Sequence, residues 1–123
     1  MPLTYLFNPE NDLALAADVD RYTAPAPIRR LRADLALLPM WIASPGSRII
    51  APADGAEFLD FCKSVIDGLD GIGIYDGEPS QAMPWGWNRS VRNELLRAGV
   101  ECKADDAMLS QLRRLSSRQT TVD

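Results

Sequence analysis

Histidine is missing from the chain altogether. That side chain is the usual general base near neutral pH and a common ligand of catalytic zinc. Histidine-dependent triads and most catalytic zinc sites are therefore excluded, whereas carboxylate or backbone-based chemistry is not. Cysteine is nearly as scarce: Cys62 and Cys102 lie far apart and form no metal-type pair. They read as filler thiols of a reducing, cytoplasmic compartment. No apolar run approaches the roughly 18–20 residues that span a bilayer, so no membrane partner is expected. Met1-Pro2-Leu3-Thr4 lacks the charged start and long apolar stretch of a secretory signal. Positive charge is in deficit, with 13 Lys and Arg against 17 Asp and Glu and a formal net charge of −4. Nucleic acid is thereby disfavoured as a partner, because phosphate binding needs a basic field. No phosphate-binding loop, nucleophile elbow, paired-cysteine motif or solenoid repeat occurs.

What is present is one domain's worth of alternating strand and helix signals. The 123 residues are 46% hydrophobic, enough for a single core. Leu3-Thr4-Tyr5-Leu6-Phe7 is a β-prone run halted at Pro9. Asn11-Asp12 stands as capping residues before a short helical patch, Leu13 to Ala17. After the loop Thr23 to Pro27, whose last proline suits a first helical turn, Ile28, Leu31, Leu35 and Leu38 fall at helical spacing. Arg29, Arg30, Arg32 and Asp34 mostly occupy the opposite side, and Pro39 closes the helix. Trp41 is expected to pack against the sheet edge.

Ser44-Pro45-Gly46-Ser47 is a turn, and Arg48-Ile49-Ile50-Ala51 a second buried strand. Asp54 with Glu57 reads as a capping box for a helix whose stripe is Phe58, Phe61, Cys62, Val65, Ile66 and Leu69. Gly71 to Tyr75 is a third strand. Its glycines flank and occupy the strand, so they make a weak phosphate loop. A loop follows through Ala82-Met83-Pro84-Trp85-Gly86-Trp87. Asn88 then caps a helix with Val91, Leu95 and Ala98 on its apolar face and Gly99 as its stop. Val100 to Cys102 is a short edge strand, and Asp105-Asp106 opens a last helix carrying Leu109, Leu112 and Leu115. The ending is polar.

This order predicts an α/β fold, Rossmann-like, with three α/β/α layers about a short, mainly parallel sheet. Ligands of such sheets meet the carboxyl ends of the strands, which here selects the loops Asn8 to Asp12, Ala51 to Gly55 and Asp76 to Asn88. Asn8 and Glu10 are candidate hydrogen-bonding groups for a ligand, beside a helix start with free N–H groups. The competing reading of Asn8, Glu10, Asn11 and Asp12 is a capped turn, and the two carboxylates oppose an anionic ligand. Trp85 and Trp87, flanking Gly86 just before Asn88, serve either recognition or packing. Arg89, Arg92, Arg97, Arg113, Arg114 and Arg118 form either a seam to a partner domain or solvated helix faces.

The segments Phe7 to Ala16, Leu35 to Pro39, Pro84 to Asn88 and Leu115 to Arg118 together resemble the N-terminal part of an uncharacterised bacterial family, typical of Bacteroidetes, that itself resembles ATP-grasp enzymes. The resemblance implies a pre-ATP-grasp domain over residues 1–123, cut from a longer polypeptide. It implies an ATP-dependent carboxylate–amine ligase acting through an acyl-phosphate, with ATP and Mg used by the full-length protein and no cofactor in this chain. The substrate-binding positions would then be Asn8, Glu10, Asn11, Asp12, Trp85, Trp87 and Asn88, with no catalytic or metal-binding residue here. The partners would be the remaining domains of the same polypeptide or a second copy of the chain. The alternatives are a free-standing Rossmann-type module for a small molecule, and a protein-interaction domain.

Overall fold

A computed structural model of the chain describes residues 2–69 and 71–116. Four strands make one all-parallel sheet: β1 (Leu3–Leu6), β2 (Arg48–Ile49), β3 (Gly73–Ile74) and β4 (Gln81–Pro84). Their order in the sheet is β3-β2-β1-β4. This is the order of the first four strands of a doubly wound Rossmann sheet, and the winding reverses between β1 and β4. β1 is the hub. Thr4 and Tyr5 face Arg48 and Ile49 on one side, and Leu3 to Leu6 pair with Gln81 to Pro84 on the other. Glu101 extends the sheet past β4 by a single bridge to Gln81, which is all that forms of the expected edge strand.

Helices α1 (Asn11–Ala17), α2 (Ala26–Asp34), α3 (Gly55–Val65), α4 (Arg89–Arg97) and α5 (Asp106–Leu115) surround the sheet, with a 3₁₀ turn at Leu38–Trp41. The twofold alternation along β1 splits the core into two halves. Tyr5 joins Ile49, Leu59, Cys62, Ile72 and the 3₁₀-turn residue Met40 on one face. Leu6 joins Ala82, Val91, Leu95 and Val100 on the other. Ile49 and Leu95 are completely buried, and burying each such side chain stabilises the fold by about 1.5–3 kcal/mol. Thr4 shares the Leu6 side and is also fully buried; its hydroxyl is satisfied by the Ser80 hydroxyl at 2.5 Å.

Several expectations need correction. The stretch Ala82 to Pro84 is strand, not loop, and β4 has the longest pairing in the sheet. Pro84 is tolerated because its nitrogen faces away from β1, on the side where Ala82 donates to Glu101, while the alternate N–H groups of Gln81 and Trp85 donate to the Pro2 and Leu6 carbonyls. The connection from β3 to β4 therefore contains no helix, and residues 75–80 alone lead from the carboxyl end of one strand to the amino end of the other. Asp54 is already in helical conformation (φ −77°, ψ −9°), so its side chain caps nothing and the capping box with Glu57 does not form. Asn11 and Asp12 lie inside α1 rather than ahead of it, and no side chain caps that helix.

The apolar stripes of α2 and α3 also differ from the sequence reading. α2 ends at Asp34 and buries no residue fully, and Leu31 and Leu35 are exposed. In α3 the buried positions are Leu59 and Cys62, while Phe58, Phe61 and Val65 point outward. Trp41 is 58% exposed rather than packed on the sheet edge. At the far end, Ala98 and Leu115 are exposed, whereas Val91, Leu95 and Leu109 are buried as expected.

Candidate functional site

The carboxyl ends of β1 and β4 lie side by side, and the chain leaves both as polar loops. Their junction is built by Asn8, which has no exposed surface. Its carboxamide reproduces a strand edge: Nδ2 donates to the Gly86 carbonyl at 2.9 Å, and the Gly86 N–H donates to Oδ1 at 3.1 Å. One side chain thus extends the β1–β4 ladder past its last backbone bond, from the Trp85 N–H to the Leu6 carbonyl at 2.8 Å. Gly86 is required by this closeness, because a Cβ there would lie 2.3 Å from the Asn11 carboxamide. Asn11 accepts from Asn88 Nδ2 at 2.9 Å, and the other orientation of the same carboxamide donates to the Gly86 and Trp87 carbonyls at 3.2 Å. Asn88, 1% exposed, in turn caps α4 by accepting from the Val91 N–H at 2.8 Å.

The structure thus brings together Asn8, Asn11, Gly86, Trp87 and Asn88 as one hydrogen-bonded seam whose members satisfy each other. Trp87 is half-buried against the Leu6 and Val91 half of the core. Trp85 stands 48% exposed, its ring edge-on to Phe7 with centroids 5.3 Å apart. Asp12 is exposed in the first turn of α1, apart from this seam. Of the three loops expected at the carboxyl end, the one from Asp76 to Asn88 is divided by β4, and only its part after Pro84 belongs here.

Glu10 turns the other way. It is 7% exposed and bonded to Arg32 Nη1 at 2.7 Å, while Nη2 of the same guanidinium reaches Glu94 at 2.5 Å. Arg32 thereby ties α2 to α4 across the top of the sheet. The Oε2 atom of Glu10 is buried without a hydrogen-bond partner among the described residues. Beside this bridge a cavity of about 450 Å³ opens over the ends of β1 and β2. Leu6, Phe7, Ile50, Ala51 and Pro52 form its floor and one wall, and Arg29, Arg32, Ala33 and Ala36 of the α2 segment form the other. Arg29 is anchored by donating to the Ala24 carbonyl at 2.9 Å, and no carboxylate pairs with it among the described residues.

Arg29 and Arg32 were not among the site residues expected from sequence. They were assigned to the solvated side of α2, opposite Ile28, Leu31 and Leu35. Arg29 and Arg30 are indeed exposed, but Arg29 and the half-buried Arg32 border the cavity, and Leu31 and Leu35 are exposed as well. Periodicity marks two faces of a helix without saying which is covered, so only the placement of the arginines just after a strand-end loop could have hinted at this.

Chemically, the cavity offers cationic hydrogen-bond donors over an apolar floor. A guanidinium presents a planar fork of N–H donors that matches carboxylate and phosphate oxygens. With Arg32 shared by two carboxylates, Arg29 carries the uncompensated charge. Among the described residues no three His, Cys, Asp or Glu side chains converge into a metal-binding group. The glycines from Gly71 to Gly77 serve strand β3 and its flanks. Of the other basic residues, Arg89 pairs with Asp18 and Asp20 and Arg113 with Asp18 just after α1, and Arg92 pairs with Asp106 of α5 at 2.6 Å. Arg118 lies outside the described residues. Burial pushes the Cys102 thiol above its ordinary pKa, against the opposing charge of Arg92. No protein-family description, curated protein or solved structure matches the chain.

Proposed function

We propose that this chain is the acceptor-binding and structural domain of an ATP-grasp-like, ATP-dependent carboxylate–amine ligase, with no catalysis of its own. The observation that carries the reading is the cavity at the carboxyl ends of β1 and β2, walled by Arg29 and Arg32. An acceptor for such a ligase is a small molecule bearing an amine and commonly a carboxylate. The Arg29 fork would take the carboxylate, and Leu6, Phe7 and Ile50 would cover the carbon skeleton. The seam of Asn8, Gly86, Asn11 and Asn88 holds the neighbouring loops rigid, which lowers the ordering cost of binding. On this reading ATP and Mg would be held by other domains of the polypeptide.

Calorimetry with ATP, and arginine-resolved NMR with a panel of amino acids and dicarboxylates, test this. The expected result is no heat from ATP and a saturable shift of the Arg29 Nε–H signal by carboxylates, lost in Arg29→Gln. Micromolar affinity of the isolated chain for ATP overturns the reading. The same cavity would equally serve a free-standing small-molecule module, because all of its walls belong to this chain. Carboxylate affinity in the low micromolar range without any companion domain favours that second reading.

A further inference from the structure

A second and larger cavity, about 650 Å³, runs between the α2–3₁₀ segment and α3. Trp41, Leu35 and Phe58 line it and are each more than two-fifths exposed, at 58%, 41% and 56%. Phe61 and Val65 continue the apolar surface along α3, 61% and 62% exposed. Positions 58, 61 and 65 fall on one stripe of the helix, with an axial rise of about 10 Å at 1.5 Å per residue. Contiguous exposed aromatic surface of this kind marks an interaction face in a water-soluble fold.

The walls are helices and a 3₁₀ turn, and they offer no free strand edge. A groove of this make accepts the side chains of a helix rather than the backbone of an added strand. Its rim is acidic. Asp34 and Asp54 line the groove, and Glu57 and Asp60 stand on α3 beside Phe58 and Phe61. None of these four is ion-paired among the described residues. The nearby cations in sequence are Arg29, Arg30 and Arg32 ahead of Asp34 and Lys63 after Asp60, and Arg32 is already paired with Glu10 and Glu94. A second copy of the chain would set this acidic rim against itself.

We propose that the groove between the 3₁₀ turn and α3 is the docking site for a basic amphipathic helix of a partner protein. Its apolar face meets Trp41, Phe58 and Phe61, and its lysines or arginines meet Asp34, Asp54, Glu57 and Asp60. This goes beyond the ligase reading and does not depend on it, since Arg29 takes no part.

The probe is an 18-residue model helix with leucine on one face and lysine on the other, set against the same peptide with glutamate for lysine. Tryptophan emission of the full chain is followed during titration. A saturable blue shift with the lysine peptide, absent in Trp41→Phe and at least tenfold weaker with the glutamate peptide, is expected. Glu57→Lys with Asp60→Lys, both exposed positions, keeps the apolar wall and should reverse the preference between the two peptides. Equal binding of both peptides, or no binding by either to the folded protein, overturns the proposal. So does a dimer in sedimentation that buries Trp41, or a blue shift with phosphatidylcholine or phosphatidylserine vesicles that exceeds the peptide's.

Discussion

On the flank of α4 and α5, side chains finish what the backbone leaves open. Asn88 caps α4 and Asp105 caps α5, each accepting a backbone N–H at 2.8 Å. Arg89, Arg92 and Arg113 are all paired with aspartates there. On the flank of α2 and α3, neither helix start has a side-chain cap, and seven large apolar side chains between Leu31 and Val65 stand exposed. Both flanks rest on the same sheet and bury comparable core clusters. The difference therefore lies in the outer surface and not in the packing beneath. The first flank is closed by caps and ion pairs, with Leu96, Met108 and Leu115 exposed on its helices, whereas the second is uncapped and more apolar on its outer side.

The largest test of this contrast is at the seam that closes the finished side. Asn8→Ala removes both hydrogen bonds to Gly86 in a site without solvent, and a loss of about 3 kcal/mol is expected in urea unfolding. A loss under about 1 kcal/mol would mean that Pro84 and the ladder suffice without Asn8. Gly86→Ala drives a methyl into the Asn11 carboxamide and should cost about 2 kcal/mol, accompanied by an altered Trp85 and Trp87 fluorescence.

Capping gives a paired test. Asn88→Ala should lower stability by about 1 kcal/mol, and Asp54→Ala, which removes no cap, should be near neutral. Equal losses would erase the distinction between the flanks. On the open side, Phe61→Ser should change stability by no more than about 0.5 kcal/mol while reducing binding of an apolar dye.

The smallest effect is electrostatic. The hydrogen bond and charge of Arg92 hold the Asp106 carboxyl below its ordinary pKa. A depressed folded-state pKa contributes stability above the unfolded value of about 3.9, and that contribution is lost as pH falls through the folded value. The stability difference between the native chain and Asp106→Asn should therefore shrink as urea titrations move from pH 6 to below about pH 4. A difference that is constant with pH would show that the pair does not titrate with folding.

The finished flank was the more legible one in the sequence. Asn88 and Asp105 announce helix starts by residue type, and Gly99, at φ 90°, announces a stop. Each signal is local, complete within one turn of chain. β4 was hidden because Met83, Pro84 and Trp85 carry loop composition, and because pairing with a strand nearly eighty positions away leaves no local mark. The helical stripes of α2 and α3 were visible, but their direction was not. Which stripe faces the sheet depends on how the whole helix is rolled, and that is set by Leu59, Cys62 and Met40 meeting Tyr5 and Ile49. At the candidate site, Asn8 and Asn88 were legible as polar and well placed. That they would bond to Gly86 and to the start of α4 rather than wait for a ligand followed only from the approach of two loops 78 positions apart.

The hub position of β1 has a kinetic consequence. Its contact between Thr4 and Ser80 spans 76 positions of chain. Three helices and two strands are made between β1 and its longest partner. Contacts of such sequence separation are slow to form, because loop closure precedes any reward from the contact. During synthesis or refolding, Leu3 to Leu6 therefore wait as an unpaired, apolar strand edge, the kind of edge that templates association with other chains. Refolding yield should fall as protein concentration rises, and a peptide matching β4 should compete for that edge before the chain's own copy arrives.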